Sequence, residues 1–342
     1  MGLIKGISER LRGKVEPAKK DQVSQPSQVY GQTQKAGAGS GAPPVSRAGA
    51  STSGASKKPG AGGGLNRVKH IVAIASGKGG VGKSTTTINL ARALAKQGLK
   101  VGVLDADIYG PSLDILSKVG RPEQMDGALV IPPVVQGLSM ISISMFSSKD
   151  KAQVLRGPMA ANLIRQFLDQ VSWGALDYLL IDYPPGTGDI QLTISQIANV
   201  TGAILVTTPQ ELALADVRKA LTMFEALKVP VVGIVENMSY FLCDGCDKKH
   251  YVFSEGGGRV LAGQRGLPLL AEVPIDTRIR KNSDEGIDFI ADPEQQLPSS
   301  ALYMDLAQKV VHEVSEIRRQ SAGGLGSFSL TWRAEQSGEV SS

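Results

Sequence analysis

The decapeptide SGKGGVGKST at residues 76–85 constrains this chain more than any other feature. It follows a β-branched apolar run, VKHIVAIA (68–75), and leads into a helical pattern over 84–97. A Gly-x-x-x-x-Gly-Lys-Ser pattern in that setting reads as a phosphate cradle. Gly77, Gly79, Gly80 and Gly82, with Val81 among them, let the backbone turn so that successive N–H groups face phosphate oxygens, and the helix adds its positive end. Lys83 is expected to reach the β and γ phosphates, Ser84 to offer a hydroxyl to Mg2+, and Thr85 to complete the cradle. Such a turn needs a strand before it and a helix after it.

The rest of the chain supplies that alternation. KVGVLD (100–105), YLLID (178–182), AILVTT (203–208) and VVGIVEN (231–237) are nearly all apolar, as strands buried on both faces of a parallel sheet are. Helical patterns lie at 84–97, 159–171, 189–199, 211–227, 256–264 and 301–318. The fold expected over 67–318 is therefore a doubly wound, mostly parallel α/β sheet in one domain of about 250 residues. With 42% apolar residues and no continuous apolar run long enough for a spanning helix, composition excludes a wholly disordered chain and a membrane-spanning one.

The formal charge of +5 is unevenly placed, because residues 1–66 carry 10 basic and 3 acidic side chains. That excess sits on a segment with linker character, so no nucleic-acid partner is expected. Residues 1–16 have the spacing of a short amphipathic helix, which reads as a frayed terminal helix in preference to one that touches a membrane or a partner. Residues 17–66 are rich in Gly, Ser, Pro and Lys and read as a disordered linker, and 319–342 as a disordered tail. MGLIKGISERLRGKVEP lacks the apolar core of a secretory signal, and Gly6 stands where myristoylation wants Ser or Thr. A cytoplasmic protein is expected.

Ligands in open parallel sheets bind beyond the carboxyl ends of the strands. VLDADIYGPS (103–112) brings Asp105 and Asp107 to that edge, and DYLLIDYPPGTGD (177–189) brings Asp182. Asp182 suits the acid that holds Mg2+ through water, Asp107 the group that orients an attacking water, and Asp105 an assistant to the metal. Contacts to a nucleotide base are expected from Asn237 and from Pro209 in the TTPQ segment.

Only two cysteines occur, Cys243 and Cys246, in NMSYFLCDGCDKKHYVFSEGGG, with His250 four residues on. Two thiolates so spaced share one metal or one cluster edge, or form a redox disulfide. Zinc or a [4Fe–4S] cluster wants about four protein ligands, which two chains related by a two-fold axis supply. Spacing does not separate zinc from iron–sulfur, and His250 reads as a solvated loop residue rather than a ligand.

SGKGGVGKST, LDADIYGPS, LLIDYPPGTGD, TTPQELALADVRKA and NMSYFLCDGC with the later GGG together resemble the Mrp (ApbC, Nbp-type) family of iron–sulfur cluster carrier ATPases, within the MinD and ParA superfamily. The resemblance implies a homodimer that binds and hydrolyses ATP, takes a labile [4Fe–4S] cluster between its two Cys-x-x-Cys loops, and exchanges it with scaffold proteins and apo-proteins. It also implies that Lys78 crosses the dimer interface to the partner's nucleotide, in the manner of an arginine finger. Three positions depart from the family pattern: Tyr183 replaces a usual leucine, Asp244 follows Cys243 in place of proline, and Ser254 replaces a glycine. The alternatives are a MinD- or ParA-like spatial regulator switched by ATP, and a zinc-stapled nucleotidase.

Overall fold

A computed structural model of the chain describes residues 64–325, apart from 109, 121, 123–124, 127–128, 143–144, 146–156, 244, 247 and 291–296. The expected helix at 1–16, the linker as far as 63 and the tail beyond 325 lie outside the described residues.

The described chain opens on a 3-10 turn, Gly64–Arg67. It continues through β1 (Val68–Ala75), α1 (Lys83–Lys96), β2 (Val101–Asp105), α2 (Leu113–Ser117) and a hairpin of β3 (Met125–Asp126) with β4 (Leu129–Val130). Then come β5 (Val134–Val135), β6 (Leu138–Ser142), α3 (Gly157–Gln170), β7 (Leu176–Asp182), α4 (Asp189–Ile197), β8 (Gly202–Thr207), α5 (Glu211–Ala226) and β9 (Val231–Glu236). A short hairpin of β10 (Phe241–Leu242) and β11 (Lys249–His250) precedes α6 (Gly257–Arg265), β12 (Leu269–Glu272), α7 (Thr277–Glu285) and α8 (Pro298–Leu325).

Eight strands form one sheet in the order β12-β9-β8-β1-β7-β2-β6-β5, parallel throughout except for β5 against β6. The phosphate-turn strand β1 lies inside it, between β7 and β8. All five residues of β2 and all six of β8 are buried, which is why their sequences show no alternation of apolar and polar residues. Helix α1 packs against α2 and α8, and α3 against α4. The doubly wound sheet expected from sequence is the fold observed.

Several elements differ from the sequence expectation. The 3-10 turn begins at Gly64, inside the segment read as linker, because Gly64 at φ 75° seats the chain on α3, where an added Cβ would lie 2.8 Å from the Leu168 carbonyl oxygen. The last helix continues to Leu325, past the boundary at 318. β6 and β12 add two strands to those the sequence pattern predicts. LSMIS is interrupted by serine, and LLAE is a four-residue strand at the sheet edge.

Tyr183, one of the three departures from the family pattern, is fully buried directly after β7. Its N–H donates to the Ile74 carbonyl at 3.0 Å, and its hydroxyl pairs with Ser195 Oγ of α4 at 3.2 Å. Ser195 also donates to the Gln191 carbonyl, so it keeps a partner when the phenol is lost. Tyr183→Phe should cost about 1 kcal/mol, lowering the melting temperature by roughly 2–4 °C. Tyr183→Ala should cost about 3–5 kcal/mol. Thermal unfolding of the two variants checks both values.

Candidate nucleotide and thiol sites

The phosphate turn is built from backbone. Gly80 and Gly82 take φ of 80° and 83°, the left-handed region that residues with a Cβ avoid. Gly82 occupies the N-cap of α1, and no side chain caps that terminus, so its first N–H groups remain available to an anion. Gly77 is required by packing, because an added Cβ would lie 2.3 Å from the Asp216 carbonyl carbon of α5. Lys78, Gly79, Gly80, Lys83, Ser84, Thr85 and Asp107 line one cavity of about 490 Å3 at the carboxyl edge of the sheet.

Asp182, the last residue of β7, gathers the start of α1. Its Oδ1 lies 2.8 Å from Lys83 Nζ and accepts from Thr87 Oγ1 at 2.9 Å; its Oδ2 accepts from Ser84 Oγ at 2.5 Å. Lys83 and Asp182 are both nearly sealed from water, so the charges are held by each other and by the two hydroxyls. Hard oxygen donors converge here as Mg2+ prefers. Asp107 is buried at the cavity wall, where its Oδ1 accepts from the Gly110 N–H at 3.0 Å.

Asp105 lies beside Asp182 in the sheet register, with its oxygens already engaged by neighbouring donors. Like Asp182 it is absent from the cavity lining; it is fully buried, and its carboxylate accepts from the segment after β2 and from the end of β6. Oδ1 accepts from Asp107 N–H at 3.0 Å, while Oδ2 accepts from Ser112 N–H at 3.0 Å, Leu113 N–H at 3.1 Å and Ser142 Oγ at 3.3 Å. It therefore shapes the segment that carries Asp107.

Lys78 lies half-buried with its Nζ 3.5 Å from Gln210 Oε1 of the same chain. The loop after β7 is latched to the phosphate turn by Gly186 N–H donating to the Ser76 carbonyl, and Gln191 Nε2 donates to the carbonyls of Pro184 and Pro185.

A second, more apolar cavity of about 360 Å3 shares Gly82 and Thr85 with the first. Asn237, Met238, Phe253, Val273, Pro274 and Ile275 contribute to its wall, with Tyr303 of α8. Asn237 lies where sequence placed it, and its Nδ2 also donates to the Val81 carbonyl at 2.9 Å, tying the strand end to the phosphate turn. Pro209 is not in this wall; an added Cβ on Gly257 would lie 2.8 Å from the Pro209 carbonyl oxygen, at the foot of α6. The 273–277 segment went unread because its contribution depends on long-range packing, although Pro-Ile-Asp-Thr is a recognisable helix entry, with Asp276 accepting from Arg278 N–H.

The cysteines lie between β10 and β11. Cys243 is half-buried and Cys246 exposed, and neither is in a disulfide. The register pairs Phe241 with His250 and Leu242 with Lys249, and Cys243 N–H donates to the Lys248 carbonyl at 3.0 Å. That pairing brings His250 back to the thiols: its ring nitrogen and the two sulfur atoms lie within 4.8 Å of one another. His250, read from sequence as a solvated loop residue, is exposed and lies in β11. The hairpin is bolted to the second cavity, since Ile275 N–H donates to the Tyr240 carbonyl at 2.7 Å and Ile275 bridges to Phe241.

Burial and the neighbouring Asp182 carboxylate push the Asp105 carboxyl up to about 7, against the backbone N–H groups that pull it down. A raised folded-state value means that its contribution to stability is fully present below about pH 4, where both folded and unfolded chains are protonated. The contribution is lost as pH rises through about 7, when the buried group ionises. Asp105→Asn does not titrate, so the nucleotide-free wild type should lose stability relative to this variant between about pH 5 and pH 8. Melting temperatures of the pair across that range test this, and parallel curves would exclude Asp105 as the group responsible.

Comparison with known proteins agrees with this geometry. A family model described as ParA, NUBPL iron-transfer P-loop NTPase, matches residues 67–311. An Arabidopsis thaliana protein named iron-sulfur protein required for NADH dehydrogenase, mitochondrial, is 44% identical over 256 residues, covering 74% of this chain and 82% of that one. The iron-sulfur cluster carrier protein of Salmonella typhimurium is 46% identical over 254 residues, covering 73% and 68%. Among solved structures, a nucleotide-binding protein of Archaeoglobus fulgidus in complex with ADP, with cobalt found in it, is 43% identical with a TM-score of 0.59, covering 68% of this chain and 92% of that one. The cell division ATPase MinD of Pyrococcus furiosus shares the fold, with a TM-score of 0.55 at 22% identity, covering 71% and 99%. The chain belongs to the NUBPL iron-transfer P-loop NTPase family.

Proposed function

We propose that this chain is an ATP-hydrolysing iron–sulfur cluster carrier, which takes a [4Fe–4S] cluster as cargo between the thiol hairpins of two copies and passes it to apo-proteins. One observation carries the reading: two cysteines outside any disulfide sit on a hairpin that follows β9, the strand that also delivers Asn237 to the phosphate turn. The curated relatives named as iron–sulfur cluster carriers support it.

In this reading the backbone N–H groups of 77–85 and the start of α1 bind the phosphates, with Lys83 drawn from Asp182 toward the β and γ phosphates and Thr85 at the edge of the cradle. Ser84 would hold Mg2+ directly and Asp182 through water, and the ion would neutralise charge on the phosphoryl oxygens. Asp107 orients the attacking water from the cavity wall. The second cavity takes the base, with Asn237 at its edge. Lys78 leaves Gln210 to reach the nucleotide of the partner subunit.

A dimer answers two needs. A cluster wants about four thiolates and one chain offers two. Val252 and Val260, 60% and 57% exposed, lie after the hairpin and on α6, with Leu212 exposed on α5, which are apolar side chains that association would cover. Cysteines outside a disulfide fit a reducing compartment such as the cytoplasm, and among the described residues no helix is long and apolar enough to cross a membrane.

The test is anaerobic reconstitution followed by iron and sulfide analysis. Cys243→Ala and Cys246→Ala should each lose the cluster while retaining ADP binding; unchanged iron and sulfide in either variant would overturn the reading. Lys78→Ala should keep nucleotide affinity and lose hydrolysis by about a thousandfold, measured as phosphate release.

A further inference from the structure

A cavity of about 850 Å3 opens at the amino edge of the sheet, away from the phosphate turn. Its wall takes in the start of β1 at Val68 and Lys69, with Thr201 and Pro230, which directly precede β8 and β9. Leu65, Leu168, Ile197, Val200 and Ile317 give it an apolar lining, and Ser321 of α8 belongs to the same wall. We propose that residues 328–332 of the same chain, Phe-Ser-Leu-Thr-Trp, occupy this cavity as an extended strap.

Sequence and reach favour this occupant. Phe328, Leu330 and Trp332 alternate with Ser329 and Thr331, so in extended form the three apolar side chains share one face. The two rings bury about 150–250 Å2 each when covered, and the Gly, Ser, Thr and charged residues around them offer no apolar cover of their own. α8 ends at Leu325, one turn beyond Ser321 and about 6 Å further along the axis. From Leu325 to Trp332 an extended chain spans up to about 24 Å, enough to turn back to the wall that the helix has just left.

The wall offers what such a segment needs. Helix α3 ends beside it, and the carbonyl oxygens of Leu168 and Asp169 lie there against Gly64, on which an added Cβ would stand 2.8 and 3.2 Å from them. The last four carbonyls of a helix lack partners within it, and peptide N–H groups and an indole N–H are donors for such oxygens. Lys228 and Arg318 stand in the lining with one acid, Asp169, while Lys69 is taken by Asp177 at 2.7 Å. Glu335 and Glu339 follow the apolar run against Arg333, so the charge after Trp332 complements the two cations. Lys228 has φ 55° directly after α5, where glycine is the usual residue, so a cation is kept at a position that the backbone would yield to glycine. The strap lies at the edge opposite the phosphate turn and does not depend on the cluster reading.

Trp332 is one of two tryptophans, and the other, Trp173, is buried. Subtracting the emission of the full-length Trp332→Phe variant from that of the wild type isolates Trp332. Its emission should lie to the blue of free indole in water and be quenched several-fold less by acrylamide; the emission and quenching of free indole would overturn the proposal. Shielding that grows with protein concentration would place the run on a second copy and overturn it too. The seat is read by hydrogen exchange in a full-length variant carrying Phe328→Ser, Leu330→Ser and Trp332→Ser. Exchange should rise several-fold at 64–71 and 200–203 and stay unchanged at 77–85. Protection that persists at those walls, because another segment covers them, or a rise throughout the chain, overturns the proposal.

Discussion

The junction between β7 and α1 depends on a single carboxylate. Asp182 ends a buried strand in the interior of the sheet and holds the ammonium of Lys83 and the hydroxyls of Ser84 and Thr87 against it. A charge pair so far from water is tolerable only when both members are well paired and hydrogen-bonded. That requirement fixes the first turn of α1, and with it the direction in which the phosphate turn presents its N–H groups. The same groups are those a nucleotide and its metal would recruit, so ligand binding redistributes an existing network instead of creating one.

From that junction the architecture extends along β9. One strand end supplies Asn237, which grips the Val81 carbonyl, and Glu236, whose carboxylate accepts from Ser239 Oγ at 2.6 Å and from the Gly258 N–H at the start of α6. Beyond it the chain runs into the thiol hairpin and returns through Phe253, in the wall of the second cavity. Phosphate turn, second cavity and thiols are thus joined through one short segment, residues 236–253. Contiguity of this kind supplies a route for coupling without measuring its strength.

The central sheet was legible in the sequence because buried parallel strands leave unbroken apolar runs, and VKHIVAIA bounds β1 to the residue. The phosphate turn was legible because its glycines answer a local backbone need. What sequence did not reveal depends on contacts between distant segments. Asp105 looked like Asp107 and Asp182 as a strand-end acid, and only the folded loop shows its oxygens occupied by Ser112, Leu113 and Ser142. His250 read as a loop residue because strands of two residues carry no periodicity, so the pairing with Phe241 could not be read. Helix α7, TRIRKNSDE, buries little besides Ile279, Asn282 and Ser283 and lacks the apolar stripe that marks a helix.

The thiol hairpin is fastened through main-chain groups: Ile275 to Tyr240, Cys243 to Lys248, and the two cross-strand pairs. Peptide bonds are common to all residue types other than proline at the donor. Substitution of the intervening side chains leaves such fastenings untouched. Evolution can therefore retune the electrostatic surroundings of the sulfurs from lineage to lineage, adjusting what they hold and how readily they surrender it, without redesigning the nucleotidase beneath.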